Sequence, residues 1–399
     1  MYKSNLRYSS ARTNGRSGHS SRPPARRGGA KQYIDPRKFI SVAKPLIEAP
    51  AYVPTHKFED FDIHPLLKQN IIAKGFVTPS PIQDQSIPLA LQGRDIVGIA
   101  NTGTGKTAAF AIPIIHQMLL DRTKKALMIA PTRELAEQIE QECKSFGKTS
   151  GLRGALLIGG SSMPAQIRDL RGRPNIVIGT PGRLKDHLER GNLDLGEFNI
   201  VVLDEVDRMV DMGFIIDIRF LLSKLATPRQ SLFFSATVDP KIKALIDSFL
   251  NDPVTISVRT SETSENVEQS VLEYGHSGER LSKLHDLLIQ GHVAKTLIFD
   301  ETQRSVERLA KELQDRGFMA DAIHGGKSQN HRTRALNRFK TNEVNILVAT
   351  DVAARGIDVA DITHVINYST PNTYDDYIHR IGRAGRAGKT GHAITFVGN

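Results

Sequence analysis

From Phe58 onward, short apolar runs rich in β-branched residues alternate with helical stretches, and this alternation constrains the fold more than any other feature. The runs Asp95–Ala100, Ala126–Ala130, Ala155–Gly159, Asn175–Gly179, Asn199–Leu203 and Ser231–Ser235 are bounded by turn residues, the pattern of parallel strands buried on both faces. Between them, Thr107–Leu120 and Leu135–Phe146 space their apolar residues for helices. The alternation lapses over Asn251–Asn266, which is rich in Ser, Thr and Glu. It resumes with Thr296–Asp300, Ala320–His324, Ile346–Thr350, His364–Tyr368 and Ala393–Val397. Such repetition predicts an α/β chain of two tandem, doubly wound parallel-sheet domains, 58–252 and 267–399, joined by a linker over 253–266.

Charge separates the first 57 residues from the rest. They hold 12 Lys/Arg against Asp35 and Glu48, which accounts for the whole net charge of +10. The overall basicity therefore describes a tail, and a nucleic-acid role for the folded body must rest on local sites. Residues 1–30 are dominated by Ser, Gly, Arg, Asn and Pro, with little apolar material to bury, so 1–57 is expected to be a disordered basic tail. Its Arg-Gly content suits an arm that binds single-stranded RNA by counterion release. A plain solvated tail and a transit peptide are the other readings, the latter opposed by Gly and Pro that break an amphipathic helix. Cys143 is the only cysteine, which excludes a disulfide scaffold and a multi-cysteine metal cluster and fits a reducing compartment. No apolar run reaches the roughly 18 residues that span a bilayer, so an integral membrane protein is not expected. With no export-signal core either, a bacterial cytoplasm is the expected location.

Ala100-Asn-Thr-Gly-Thr-Gly-Lys-Thr107 follows a predicted strand and opens a predicted helix, the context a P-loop requires. In the loop Thr102, Gly103, Thr104, Gly105, the two glycines let the backbone N–H groups converge on one anion, and the helix N-terminus adds partial positive charge. Lys106 is placed to bridge terminal phosphates, and Thr107 offers a hydroxyl to Mg²⁺. Ala100 stands where a first glycine is usual. The run Asn199–Leu203 ends in Asp204-Glu205-Val206-Asp207, and ligands gather at the carboxyl ends of strands in doubly wound sheets. Asp204 is expected to hold Mg²⁺ and Glu205 to orient the attacking water. Far downstream, His379-Arg-Ile-Gly-Arg-Ala-Gly-Arg386 supplies arginines. Arg383 and Arg386 are expected to reach the γ-phosphate in the transition state, since a guanidinium is a rigid bidentate donor. Their place on the other domain makes hydrolysis depend on closure.

Taken together, these residues resemble the DEAD-box ATP-dependent RNA helicases of superfamily 2 over about Phe58 to Val397, with two RecA-like domains. Gly75-Phe-Val-Thr-Pro-Ser-Pro-Ile-Gln83 resembles the family's Q motif, with Ser80 where threonine is commoner. The resemblance implies that Gln83 reads the adenine edge and that Phe58 stacks on the ring. Pro131-Thr132-Arg133, Gly160 and Thr180-Pro181-Gly-Arg183 match first-domain RNA motifs, and Gly325, Arg332 and Thr350 match second-domain ones. They are expected to hold phosphates and 2′-hydroxyls, which carry little base sequence. By the same resemblance Asp358 reaches the ribose. Asp207, Ser235, Thr237 and His379 are expected to couple the two domains. Val206 replaces the usual alanine of the signature, and Ser369 stands where aspartate is common after Tyr368.

The implied activity is RNA-dependent ATP hydrolysis, with ATP and Mg²⁺ as cofactors, driving local separation of short duplexes by a monomer with weak sequence preference. The rival readings are a DNA-translocating helicase of the same superfamily and a non-enzymatic RNA clamp working through the basic tail.

Overall fold

The computed structural model describes residues 34–42, 52–101, 103–258, 266–291, 293–354, 359, 361–385 and 390–398. Thr102, Asp358 and Arg386, and residues 1–33 and 43–51 of the expected tail, lie outside the described residues.

Two parallel sheets carry the chain. The first contains β1 (Ile96–Ala100), β2 (Ala126–Ile129), β3 (Gly154–Leu157), β4 (Ile176–Gly179), β5 (Ile200–Leu203), β6 (Gln230–Ser235) and β7 (Val254–Val258), in the order β3-β4-β2-β5-β6-β1-β7. The second contains β8 (Val267–Tyr274), β9 (Thr296–Phe299), β10 (Ala320–Ile323), β11 (Ile346–Ala349), β12 (His364–Asn367) and β13 (Gly391–Gly398), in the order β10-β11-β9-β12-β13-β8. Residues of β2, β4, β5 and β6 are buried throughout, which explains the unbroken apolar runs. Side chains alternate between faces: Ala126 and Met128 join the core that includes Phe110 and Phe234, while Leu127 and Ile129 join the one around Leu203 and Met209. This is the expected doubly wound fold in both domains.

Two boundaries differ from expectation. β7 falls inside the predicted linker and pairs in parallel with β1. Its Thr255 and Ser257 are exposed while Ile256 and Val258 are buried, so its polarity is that of an edge strand. The link between domains begins after Val258. The second sheet's edge strand β8 reads as polar for the same reason. Finally, residues 34–42 and 52–57 of the predicted tail 1–57 are among the described residues and pack on the folded body. Asp35 caps a 3₁₀ turn over Pro36–Phe39, whose Phe39 is buried, and Tyr52 donates a hydrogen bond to Asp84 at 2.6 Å.

Candidate functional site

Because all strands in each sheet are parallel, one edge of each sheet gathers the strand ends. β1 runs into the phosphate loop, β2 into Pro131-Thr132-Arg133, β4 into Thr180, β5 into Asp204-Glu205 and β6 into Ser235-Ala236-Thr237. In the second domain β10 leads to Gly325 and β11 to Thr350. Since β6 lies between β1 and β5, the loop and the acids face each other across one strand.

Gly103 and Gly105 take φ of 84° and 89°, the left-handed geometry that curls the loop. The helix Lys106–Leu120 starts at its rim. Lys106 is buried, donates to the Ala100 carbonyl at 3.1 Å and lies 3.9 Å from an Asp204 oxygen. The Q segment braces this loop. Ser80 donates to the Thr104 carbonyl at 2.7 Å, and the Gln83 amide donates to the Gly105 carbonyl at 3.0 Å while accepting from Ser80 N–H at 2.8 Å. Each end of the Gln83 amide thus makes one bond to protein, which ties it to the loop and leaves a second N–H and a second oxygen lone pair. A Cβ on Gly105 would collide with that amide, which explains why glycine stands there. Phe58 departs from expectation. It is 1% exposed, edge-on to Phe61 and Phe76 at 5.7 and 5.3 Å, so its ring lies in the core and offers no open face for stacking.

Asp204 and Glu205 are both buried, yet their proton affinities are pushed in opposite directions. Burial pushes Asp204 up to about 6, opposed by Lys106 and reinforced by Glu205. Burial also acts to raise Glu205, but Arg208, Lys106 and Arg383 overcome it and hold its carboxyl down at about 2. Glu205 has a left-handed backbone, φ 54°. Arg208 pairs with it at 2.7 Å, three residues on. Val206 is fully buried among Leu203, Met209 and Leu245, so the larger side chain is absorbed by the core. Asp207 accepts from the backbone N–H groups of Ala236 and Thr237 at 2.9 and 3.0 Å, and its own N–H donates to Ser235 Oγ at 3.1 Å. These bonds join the two motifs expected to take part in coupling the domains, and they lie within the first domain.

The crossing between domains is made elsewhere. Arg208 lines a small cavity with Phe299, Asp351, His379, Arg380 and Arg383 of the second domain. Arg383 is 4% exposed, and its charge acts on Glu205. Its neighbour Arg380 is structural: it pairs in a fork with Asp351 at 2.6 and 2.7 Å and donates to the Ser369 carbonyl at 2.7 Å. Ser369 thereby serves through its backbone, and its hydroxyl is buried without a hydrogen-bond partner.

A second cleft, about 390 Å³, is lined by Pro131, Thr132, Arg133, Thr180 and Arg183 of the first domain and by Gly325, Arg332 and Val352 of the second. Of the residues expected to meet RNA, Gly160, Pro181 and Thr350 are not among its lining. Gly160 instead makes room for the Arg133 guanidinium, which a Cβ would strike. Arg332 is already paired: it meets Glu134 of the first domain at 2.6 Å, with both side chains buried. Beside this pair, Gln329 and Thr333 donate to Glu137 at 2.9 and 3.1 Å. Arg332 therefore fastens the domains under the cleft. Neither Glu134, Glu137 nor Arg208 was singled out in the sequence, although Glu134 follows Arg133 directly and Arg208 sits one helical turn from Glu205. Arg332→Ala should leave Glu134 buried without its charged partner, with only the Gln329 amide at 3.5 Å, at a cost of about 3 kcal/mol, roughly a hundredfold in the closed state. RNA titrations with and without a non-hydrolysable ATP analogue should show the nucleotide-dependent gain in affinity lost and the basal affinity retained.

For a cation, Asp204 and the half-buried Thr107 supply hard oxygen donors, and the raised proton affinity of Asp204 marks a buried carboxylate whose charge is incompletely balanced. The donor set fits Mg²⁺. Among the described residues no helix is long and apolar enough to cross a membrane.

Residues 80–245 match the DEAD/DEAH box helicase family, and residues 279–388 match the helicase conserved C-terminal domain. The chain is 43% identical over 342 residues to the DEAD-box ATP-dependent RNA helicase CshA of Geobacillus kaustophilus, covering 85% of this chain and 73% of that protein. It is 43% identical over 345 residues to the protein of the same name from Bacillus subtilis, covering 86% and 70%. Among solved structures it is similar to Mss116p bound to single-stranded RNA and AMP-PNP, with 31% identity and a TM-score of 0.77 over 86% of this chain and 75% of that one. It is also similar to S. cerevisiae Dbp5 bound to RNA and ADP BeF3, with 28% identity and a TM-score of 0.74 over 86% and 89%.

Proposed function

The chain belongs to the DEAD-box ATP-dependent RNA helicase family, and from that premise we propose that it hydrolyses ATP in the cleft between Lys106, Asp204 and Glu205 on one domain and Arg383 on the other. The observation that carries this reading is that Arg383 of the opposite domain lines one small cavity with Arg208, which is ion-paired with Glu205 at 2.7 Å. RNA lies across both domains in the second cleft and closes the first by the same movement.

The residues divide the work. The loop N–H groups and the end of the helix Lys106–Leu120 receive phosphate oxygens. Lys106, which donates to the Ala100 carbonyl and stands 3.9 Å from an Asp204 oxygen, turns onto the terminal phosphates. Thr107 and Asp204 hold Mg²⁺, which neutralises charge on the β- and γ-phosphates when bound. Glu205, kept ionised by Arg208, accepts a hydrogen bond from the attacking water and aligns it. Arg383 and Arg386 stabilise the charge that develops on the transferred phosphoryl group. Gln83 senses an occupied loop through Gly105, and Asp207 relays its state to Ser235-Ala236-Thr237. Arg133, Thr180 and Arg183 grip phosphates and 2′-hydroxyls, so base sequence matters little. A cytoplasmic monomer suits this chemistry.

The test is steady-state ATP turnover with single-stranded RNA, with DNA of the same sequence, and with no nucleic acid. RNA should stimulate strongly and DNA weakly. Equal stimulation by both favours a DNA-acting enzyme, and no stimulation by either refutes the proposal.

A further inference from the structure

Beside the second cleft a buried polar cluster ties two loops of the first domain together. β3 and β4 pair in parallel at the edge of the sheet, so Gly159-Gly160-Ser161 and Thr180-Pro181-Gly182-Arg183 emerge side by side. The first loop leads into the helix Met163–Arg171 and the second into the helix Pro181–Glu189. Gln166, buried on the first helix, has an amide N–H that donates to the Ile158 carbonyl at 2.9 Å, which turns its oxygen the other way. That oxygen accepts from Arg183 Nη1 at 3.1 Å and meets His187 Nε2 at 2.9 Å. An amide oxygen can only accept, so His187 carries its proton on Nε2. Burial and the Arg183 charge hold the pKa of this fully buried ring below its usual value, with Asp186 opposing them, and the ring is neutral at neutral pH. Its Nδ1 is buried without a hydrogen-bond partner. Arg183 Nη1 also donates to the Ser161 carbonyl at 3.3 Å, which closes the cluster on the first loop.

We infer that Gln166 and His187 are positioning residues that hold the Arg183 guanidinium aimed at an RNA phosphate in the second cleft. The inference rests on the reading of that cleft as the RNA site. Arg183 lines the cleft, while Gln166 and His187 do not, so both act through it. Arg133 lines the same cleft, and its guanidinium lies against Gly160, where a Cβ would strike it. Two like charges therefore share the site, and a free Arg183 side chain would turn away from Arg133 or toward the nearest carboxylate. That carboxylate is Asp186, 3.8 Å from Arg183 Nε and itself hydrogen-bonded to Arg190. A carboxylate in the place of the Gln166 amide would cancel the charge that a phosphate needs. An amide oxygen and a backbone carbonyl hold the guanidinium by one nitrogen and leave its charge intact. The N–H groups of Nη2 remain for the phosphate oxygens. His187 acts one step further back, because its N–H donor keeps the Gln166 oxygen facing Arg183.

Variants of the full chain test this by the fluorescence anisotropy of a labelled single-stranded oligouridine RNA, titrated with a non-hydrolysable ATP analogue present. Gln166→Met keeps the volume and removes the acceptor. Releasing one ordered side chain should raise the Kd for RNA by about three- to tenfold. In turnover, the RNA concentration for half-maximal rate should rise with it, while kcat at saturating RNA and the KM for ATP stay within about twofold. His187→Leu should shift the Kd in the same direction, and His187→Gln, which restores an N–H donor, should recover most of the loss. The coupling separates positioning from packing: in an Arg183→Ala background, Gln166→Met should change the Kd by less than about 1.5-fold. A packing role would give the full factor in both backgrounds. Thermal unfolding sets a temperature at which each variant is folded, and should Gln166→Met fail to fold, His187→Leu carries the same comparison. An unchanged Kd in both Gln166→Met and His187→Leu, or a factor that persists without Arg183, would overturn the inference. An Arg183→Ala variant that binds RNA as tightly as the unmodified chain would overturn it as well. If the unmodified chain itself binds no RNA, the reading of the cleft fails first and the inference falls with it.

Discussion

Glu205→Gln should lower RNA-stimulated ATP turnover by about 10²–10⁴, the usual contribution of a positioned base, while ATP and RNA still bind. The carboxylate emerges at the end of β5 on a left-handed residue, 4% exposed and ion-paired with Arg208 at 2.7 Å. Burial alone would protonate a carboxyl in this position, but Arg208, Lys106 and Arg383 reverse the sign and hold it near 2. It is therefore ionised throughout the neutral range and accepts, rather than donates, the hydrogen bond from water. Glutamine keeps the shape and an oxygen for Arg208 but loses the charge that aligns the nucleophile. Phosphate release at saturating RNA, set beside binding of a fluorescent ATP analogue, separates the two effects. Loss of nucleotide binding would remove Glu205 from its assigned role.

Arg383→Ala should cost more, about 10³–10⁵ in turnover, although the residue sits on the opposite domain from the phosphate loop. The informative contrast is with Arg380, three residues earlier. Arg380 is engaged in a buried fork with Asp351 and in bonds to Asn367 and Ser369, so Arg380→Ala should destabilise the second domain by about 3–5 kcal/mol. Arg383→Ala should remove hydrolysis at temperatures at which the variant is still folded. Turnover together with thermal unfolding of both variants checks this. Equal unfolding of the two would mean that Arg383 is also a packing residue.

The parallel strands and the loops at their ends were legible because strands buried on both faces leave apolar runs, and because glycines and charged residues at their carboxyl ends interrupt them. The edge strands β7 and β8 were not, since half of their residues face solvent and Thr255 and Ser257 read as linker. Residue types pointed to the cleft, but a residue type does not say which partner wins. Arg332 has the chemistry of a phosphate contact and is taken by Glu134, while Phe58 has the chemistry of a stacking platform and is taken by Phe61 and Phe76. The first outcome depends on contact between segments far apart in the chain, the second on how three nearby rings pack. Phe39 shows the same limit, because its partners Tyr377 and Val267 lie more than half the chain away and nothing local marks it as core.

The central claim is that hydrolysis needs groups from both domains around one triphosphate, and a structure of the full chain with single-stranded RNA and a non-hydrolysable ATP analogue tests it most directly. The account predicts Lys106 and Arg383 within about 3 Å of γ-phosphate oxygens, with Glu205 facing a water in line with the γ-phosphorus. Arg383 and Arg386 pointing away from the nucleotide, with both ligands bound and the domains together, would contradict it.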